Sequence, residues 1–257
     1  MNRINTRNKN TKVPAIIPAR GGSKSLPRKN IKLLHGIPLI AYSITAGLQA
    51  KLVNRVIVST DDDEIAGIAR KWGAEVPFMR PSELARDDTL DLPVFQHALT
   101  WLTQHENYLP DVVVQLRPTS PFRPPGCVDQ AVEILLKDTA ADSVRAVVAS
   151  GQNPYKMWRP TKSGYLAPLL TAPPGIFEPF NGPRQQLPAT YWQTGHIDVI
   201  RPATIKVKNS MTGDKVLPII LDNRYAIDID TEFNWSYAEW LFKHFKLPFV
   251  RPTLNKG

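Results

Sequence analysis

The feature that most constrains the fold is a regular alternation of short β-branched runs with helical patterns over the first 150 residues. Short apolar runs are typical of strands covered on both faces, and the longer amphipathic stretches suit crossover helices. The alternation predicts an α/β fold with a doubly wound, mostly parallel, Rossmann-like sheet. The predicted strands are 13–19, 55–59, 111–116 and 143–149, and the predicted helices are 39–50, a stretch ending at Gly73, 91–105 and 128–137.

The pattern changes near residue 150. Residues 151–194 are rich in proline and glycine and have few periodic apolar positions, which predicts an inserted arm rather than another strand–helix unit. Regular patterns return in the second half. They predict strands at 196–200 and 216–221 and a final helix from Thr231 to Phe245. The expected organisation is a disordered basic tail at 1–12, one domain at 13–249 that carries the arm at 151–194, and a short tail at 250–257.

The net charge of +9 is concentrated at the two ends of the chain. Eight of the 32 basic residues lie in 1–12 and 243–257, where there is no acid, and the remaining 24 nearly balance the 23 acidic residues. Basic tails of this kind are usually solvated. A net charge so distributed argues against a nucleic-acid-binding body.

Cys127 is the sole cysteine, so no intrachain disulfide is expected, which is compatible with a reducing compartment. No stretch approaches the ~20 apolar residues that a membrane span needs. The first apolar run is short and is broken by Pro14 and Pro18, unlike the apolar region of a signal peptide. We expect a cytoplasmic protein with no membrane contact.

Ligands of open α/β sheets bind beyond the carboxyl ends of the strands. This rule selects the loops 20–30, 59–63 and 117–123. The first follows an apolar strand in "IIPARGGSKSLPRKN", where a Gly-Gly pair lets backbone N–H groups approach anionic oxygens. Arg20 and Lys24 add positive charge suited to a triphosphate. The spacing matches neither the Walker loop nor G-x-G-x-x-G, and without its position the loop could be a solvated turn.

Two acidic clusters also invite interpretation. Asp228 and Asp230, in "AIDIDTE", are two residues apart, so on an extended segment they face the same way and could hold Mg²⁺. In "STDDDEIA", Asp61 and Glu64 have the spacing of a capping box. For the acids after Asp61 we favour a role in capping the helix, whereas Asp61 lies near enough to the strand end to approach a ligand.

Six ordered segments resemble the acylneuraminate cytidylyltransferases, the CMP-sialic acid synthetases. The segments are "IIPARGGSKSLPRKNIKLLHGIPLIAYSI" (16–44), "RVIVSTDDDEIA" (55–66), "RPSELARDDT" (80–89), "LRPTSPFR" (116–123), "PRQQLP" (183–188) and "DIDTEFNW" (228–235). The resemblance implies a nucleotidyltransferase that couples CTP to a nine-carbon α-keto sugar acid with Mg²⁺, giving a CMP-sugar and pyrophosphate. It also implies a homodimer that uses the arm.

The resemblance and the residue chemistry together predict three sets of site residues. The nucleotide set is Ala19, Arg20, Gly21, Gly22, Ser23, Lys24, Asn30 and Arg80; the metal set is Asp228 and Asp230; the sugar set is Arg117, Thr119, Ser120, Lys156, Arg184 and Gln185. Arg20, Lys24 and Asp230 are the expected catalytic residues, because phosphoryl transfer depends on positioning and charge neutralisation.

Two positions depart from the family pattern. Arg117 stands where the family often has glutamine, and Trp192 and Thr194 occupy a region in which the family often has an arginine two residues before Asn-Gly. Arg117 could replace that missing cation at the sugar. These departures leave the identity of the sugar open.

Three alternatives stay open on the sequence. One is a nucleotidyltransferase for another sugar acid, such as a 3-deoxy-octulosonate. Another is a nucleic-acid-binding protein, suggested by the net charge. The third is a nucleotide-binding regulator without catalysis, which the complete glycine loop and the aspartate pair argue against.

Overall fold

The computed structural model describes residues 11–244, 246 and 248–253. Six strands form its central sheet: β1 Pro14–Pro18, β4 Arg55–Ser59, β5 Val113–Gln115, β6 Ser143–Ala149, β9 Tyr191–Ile200 and β10 Val216–Leu221. Two small sheets pair β2 Leu33–Leu34 with β3 Ile37–Pro38, and β7 Trp158–Pro160 with β8 Leu166–Pro168. The strand order of the central sheet is β10-β6-β9-β5-β1-β4, so the predicted α/β fold is confirmed.

Helices cover both faces of the central sheet. They are α1 Leu39–Gln49, α2 Asp63–Lys71, α3 Asp91–Glu106, α4 Cys127–Lys137, α5 Pro202–Lys206 and α6 Glu232–His244. Because side chains alternate along a strand, β1 sends Ala15 and Ile17 into a core with α1, α2 and α4. Its Ile16 points the other way, into a core with α3 and α5. The doubly wound arrangement therefore follows from the alternation of apolar residues that are buried on both faces.

β9 is the one strand of the central sheet that runs against its neighbours within the described residues. It pairs antiparallel with both β5 and β6, whereas β1 pairs parallel with β4 and β5, and β10 pairs parallel with β6. No crossover helix returns the chain after β6, and antiparallel strands need none. β9 begins at Tyr191 rather than at the predicted 196, so its first residues lie inside the expected arm.

The arm leaves the sheet after Ala149 and returns at Tyr191, which pairs with Ala149. It therefore projects from the carboxyl edge of β6, the edge at which the ligand loops lie. Its regular structure is limited to the hairpin of β7 and β8 and to two short 3₁₀ turns, Pro154–Lys156 and Arg184–Gln186. This is consistent with the absence of helical periodicity in its sequence.

A third apolar cluster joins the loops around the site. It packs Leu26 of the glycine loop and Phe122 of the loop after β5 with Ile227 and Ile229, and with Trp235 of α6. These segments are distant in the sequence, and their packing fixes the relative positions of the loops. Nearby, the turn between β2 and β3 uses His35 and Gly36, with φ of 51° and 74°. Positive φ at both positions is what a tight two-residue hairpin turn requires.

The start of α2 corrects one expectation. The Oδ1 atom of Asp62 accepts a hydrogen bond from the backbone N–H of Ile65 at 2.9 Å, so Asp62 is the N-cap. The predicted capping box of Asp61 and Glu64 is therefore wrong. The physical reason lies in the glycine loop, where the N–H of Gly21 donates to Asp61 Oδ1 at 3.0 Å.

The ends of the described chain pack on the domain. The N–H of Lys12 donates to Asp111 Oδ2 at 2.7 Å. Val250 is buried, and its N–H donates to the carbonyl of Arg123 at 2.9 Å. Most of the expected N-terminal tail, residues 1–10, lies outside the described residues, as do Phe245 and residues 254–257. Within the described part, no helix combines the length and apolar character needed to cross a membrane.

Candidate active site

A cleft of about 330 Å³ opens at the carboxyl ends of the parallel strands. Six basic side chains and three carboxylates line it: Arg20, Lys24, Lys29, Arg80, Arg86 and Arg117, with Asp87, Asp91 and Asp230. The glycine loop and the loop after β5 meet there, as the topological rule predicts, together with residues from the segment 80–94. No residue of the predicted loop 59–63 lines the cleft. An excess of cations over carboxylates in a concave site favours an anionic ligand.

The glycine loop is held from both sides. Asn30 is buried and donates through Nδ2 to the carbonyl of Arg20 at 2.9 Å. The backbone of Gly21 donates to Asp61, and a Cβ at Gly21 would lie 2.6 Å from Asp62 Oδ2. Glycine is required at 21 because of this close approach. Ala19 is buried, whereas Gly22 is exposed, and a Cβ added at Gly22 would have no atom within 4 Å.

The two predicted phosphate cations share a carboxylate. Arg20 Nη2 lies 3.0 Å from Asp87 Oδ1, and Lys24 Nζ contacts Asp87 Oδ2. The hydrogen bond from Lys24 lowers the pKa of Asp87. Ser23 also lines the cleft. Arg28, by contrast, pairs with Asp62 and Glu64 and does not line the cleft.

Lys29 is a cleft residue that the sequence reasoning missed. Its Nζ donates to Asp230 Oδ1 at 2.8 Å, and its side chain is 14% exposed, against 81% for Lys24. It therefore joins the glycine loop to the predicted metal pair. The loop contains four basic residues, and sequence spacing alone does not show which of them turns inward.

Asp228 and Asp230 lie on the same side of an extended segment. Ile227 and Ile229 are buried, and the two aspartates between and after them are exposed, as the two-residue spacing predicts. The N–H of Ile229 donates to the carbonyl of Thr119 at 2.8 Å, which fastens this segment to the loop after β5. Two exposed carboxylates beside a cationic cleft are chemically suited to a hard divalent cation.

Arg80 lines the cleft and lies against the end of β4. It is buried, and its Nε donates to Ser59 Oγ at 3.1 Å. Burial lowers the pKa of Arg80 to about 10, against the opposing charges of Asp61 and Asp91. The guanidinium is nevertheless protonated at neutral pH and contributes positive charge to the cleft wall.

The positive charge of Arg117 is balanced by neighbouring carboxylates. Its Nη2 donates to Asp91 Oδ2 at 2.7 Å, and its Nη1 lies 3.3 Å from Asp198 Oδ2. Asp198 also accepts from Arg145 Nε at 2.6 Å, and Asp91 accepts from Gln115 Nε2 at 2.8 Å. Burial alone would lower the pKa of Arg117, but the charges of Asp91 and Asp198 outweigh it and the pKa is raised.

The two hydroxyls of the loop after β5 have different surroundings. Thr119 lines the cleft, whereas Ser120 is fully buried, and its Oγ would lie 2.6 Å from a Cβ at Gly195. Arg123 anchors the loop: it is fully buried and donates to the carbonyls of His196 at 2.7 Å and Arg117 at 2.6 Å. Thr119 alone of the two hydroxyls is positioned to contact a ligand directly.

The predicted sugar residues of the arm do not line this cleft in a single chain. Lys156 Nζ donates to the carbonyl of Gly182 at 2.6 Å, and Arg184 Nη2 donates to the carbonyl of Ser150 at 2.7 Å. Gln185 is exposed, and so is Trp192 at the start of β9. The fold brings Arg20, Ser23, Lys24, Asn30 and Arg80 of the nucleotide set together with Asp230, Arg117 and Thr119. Ala19, Gly21, Gly22, Asp228 and Ser120 are not among the residues that line the cleft, and the arm set lies apart from it.

Comparison with known proteins identifies the family. The Cytidylyltransferase family profile matches residues 14–157. The chain is 34% identical over 233 residues to the CMP-N,N'-diacetyllegionaminic acid synthase of Legionella pneumophila, covering 90% of this chain and 97% of that protein. It is 32% identical to N-acylneuraminate cytidylyltransferase A of Danio rerio, covering 91% of this chain and 51% of that protein.

The fold has solved counterparts. A CMP-2-keto-3-deoxy-manno-octonic acid synthetase complexed with CTP superposes with a TM-score of 0.66 at 16% identity, covering 90% of this chain and 98% of that one. A 4-diphosphocytidyl-2C-methyl-D-erythritol synthase from Anaerococcus prevotii gives 0.61 at 14% identity, covering 91% and 99%. These likenesses concern the fold. The profile match, which covers more than half of the chain, and the relative from Legionella pneumophila, which is matched over nearly its whole length, show that the chain belongs to the cytidylyltransferase family of nucleotidyltransferases.

Proposed function

We propose that this protein transfers the CMP group of CTP to a nonulosonic acid, a nine-carbon α-keto sugar acid, and releases pyrophosphate. The observation that carries the proposal is the cationic cleft, in which the glycine loop faces Asp230. Charge and shape there suit a nucleoside triphosphate. Relatives that span most of the chain are named as synthases of CMP-legionaminic acid and as N-acylneuraminate cytidylyltransferases.

The glycine loop is the proposed triphosphate site. Arg20 and Lys24 would bind phosphate oxygens, with the backbone N–H of Gly22 adding an uncharged donor, since those of Gly21 and Ser23 donate to Asp61 and to the carbonyl of Gly21. Lys29 lies deeper and would neutralise charge near the transferred phosphorus. Arg80, held by Ser59, would supply a fixed positive charge below the phosphates. In phosphoryl transfer such positioned cations stabilise charge that develops on the oxygens.

Asp228 and Asp230 are the proposed Mg²⁺ ligands. Their exposed carboxylates lie on one side of the segment before α6, and Mg²⁺ favours one or two carboxylates completed by water and phosphate oxygens. Within the described residues there is no cluster of three or more acidic, histidine or cysteine side chains placed for a metal. A bound Mg²⁺ would neutralise phosphate charge and favour ionisation of the sugar hydroxyl. Lys29, paired with Asp230, would hold that carboxylate in place.

The reaction needs no protein nucleophile. The anomeric hydroxyl oxygen of the sugar attacks the α-phosphorus of CTP, the bond from that phosphorus to the bridging oxygen breaks, and pyrophosphate leaves while the hydroxyl proton passes to solvent. Arg117 and Thr119, which line the cleft from the loop after β5, would contact the sugar. For Ser120, Lys156, Arg184 and Gln185 a sugar-binding role stays a prediction from the resemblance.

We also propose that the arm forms a homodimer contact. Large apolar side chains stand exposed along it, among them Tyr165 at 76% and Phe177 at 89%. A groove of about 480 Å³ lies beside them, lined by Leu169, Leu170 and Phe180 among others. Exposed apolar surface of this extent is typical of a protein interface. Sedimentation at micromolar concentration should show a dimer; a monomer there would contradict the arm contact. A cytoplasmic location, where CTP is available, completes the proposal.

The direct test is pyrophosphate release from CTP and Mg²⁺ with N-acetylneuraminic, legionaminic and pseudaminic acids and a 3-deoxy-octulosonate in turn. We expect turnover with a nine-carbon acid. Asp230→Ala should lower it at least ~100-fold, the order expected for losing a main electrostatic element. Glu133→Gln, at an exposed helical pair with Lys137, is the matched control. Preference for the eight-carbon acid would instead favour the alternative substrate class.

A further inference from the structure

Arg117 belongs to a four-membered charge network that crosses the sheet beside the cleft. From the cleft inward, Asp91 contacts Arg117, Arg117 contacts Asp198, and Asp198 contacts Arg145, with distances of 2.7, 3.3 and 2.6 Å. Arg145 continues to Gln193 Oε1 at 3.0 Å. Two guanidinium groups therefore face two carboxylates, and the network has no net charge.

The burial of its members decides which of them can meet a ligand. The Asp198 side chain is 2% exposed, whereas those of Arg117 and Asp91 are 29% and 34% exposed. Only Arg117 and Asp91 are among the residues that line the cleft. Asp198 thus fixes Arg117 from inside, and Asp91 fixes it from the cleft side.

This arrangement restricts what Arg117 can bind. Each Nη group of Arg117 already serves a carboxylate, so a third carboxylate approaching the same guanidinium would be repelled by Asp91. A neutral oxygen has no such penalty and can still accept one of the remaining N–H donors. The geometry therefore does not support Arg117 as the substitute cation for a sugar carboxylate.

We propose that Asp91 is a specificity-determining positioning residue. Together with Asp198, Asp91 neutralises and orients Arg117. The remaining N–H groups of Arg117 can then donate to a neutral hydroxyl or acylamino oxygen of the sugar. This inference rests on the proposed function and adds to it the class of substituent that the network recognises. Gln115 supports Asp91 through its hydrogen bond from the neighbouring strand β5.

The test compares wild type, Asp91→Asn, Arg117→Gln and the double variant on several nonulosonic acids, which share the carboxylate and differ in neutral substituents. We expect each single variant to change the ratio of kcat/KM between two sugars at least fivefold, with the KM for CTP within twofold of wild type. Because the two residues act as one unit, the double variant should change the ratio no further than Arg117→Gln alone. Asp91→Glu, which keeps the negative charge, should give a ratio of kcat/KM between the two sugars that lies closer to the wild-type ratio than that of Asp91→Asn.

Two outcomes would overturn the inference. If Asp91→Asn leaves all sugar ratios unchanged, Asp91 does not set specificity. If Arg117→Gln weakens every sugar by the same factor, Arg117 binds the shared carboxylate. Glu133→Gln controls for an unrelated lost charge, and thermal unfolding of each variant shows that it is folded. Failure of the proposed function is distinguishable, because wild type itself would then release no pyrophosphate with any of these sugars.

Discussion

Lys29 and Lys24 belong to one loop but have different surroundings. Lys29 is mostly buried against Asp230, and Lys24 is largely exposed beside Asp87. A cation fixed in a low-dielectric site stabilises developing charge more than a solvated one. We therefore expect Lys29→Met to lower kcat/KM for CTP roughly 100-fold. Steady-state pyrophosphate release at saturating sugar measures this.

The same assay on Lys24→Met supplies the comparison. We expect a loss of less than tenfold, since screening by water weakens the contribution of an exposed charge. A larger loss for Lys24→Met than for Lys29→Met would show that Lys24, the lysine predicted to be catalytic from the sequence, makes the larger contribution to catalysis.

At the level of single residues, the sequence was informative where chemistry depends on near neighbours. The Gly-Gly pair and the spacing of Asp228 and Asp230 need no knowledge of the fold, and the two aspartates lie on the same side of their segment as predicted. The partners of Arg117 could not be found this way. Asp91 and Asp198 are 26 and 81 positions away, so their contacts arise from the packing of distant elements.

The helices and strands show the same contrast: some of their features depend on the local sequence and others on contacts between distant parts of the chain. The bounds of α1 and β4 follow from local signals, namely the proline before the helix and the β-branched run of the strand, and they agree with the predicted 39–50 and 55–59 to within a residue. The direction and length of β9 do not, because they depend on where the arm returns the chain to the sheet. The cap of α2 was misplaced by one residue because Asp61 is engaged by the glycine loop.

The segment 82–89 supplies the carboxylate that pairs with Arg20 and Lys24, the proposed phosphate-binding residues. Asp87 contacts both Arg20 and Lys24, so in the proposed binding mode the phosphates of CTP would compete with it for the same side chains. Asp87→Asn should therefore lower the KM for CTP by about fivefold or less, since partly exposed ion pairs are weak. The effect should shrink as salt is raised from 20 to 200 mM, values on either side of physiological ionic strength.

Asp88 provides a matched control for this element. It is the adjacent exposed aspartate, so Asp88→Asn removes the same charge from the same segment without touching Arg20 or Lys24. If both variants change the KM for CTP equally, the effect is one of net charge. If Asp87→Asn raises the KM, Asp87 holds the glycine loop in its binding conformation instead of competing with phosphate.

For the whole molecule, one buried histidine couples folding to pH. His196 has no exposed surface, and burial, with the charge of Arg123, lowers its pKa to about 3. In the unfolded chain its pKa is about 6.5. Between these values the unfolded state binds a proton that the folded state does not, so stability is full above about pH 6.5 and falls as the pH decreases towards 3.

We expect the melting temperature of wild type to fall from pH 7 to pH 4.5 more steeply than that of His196→Gln. The difference in slope corresponds to at most roughly 1.4 kcal/mol per pH unit for one proton. Cys127→Ala is the control for a change in the core: burial raises the pKa of this thiol to about 11, so its loss should lower the melting temperature equally across that range. Parallel curves for wild type and His196→Gln would show that the proton uptake on acid unfolding arises elsewhere in the chain.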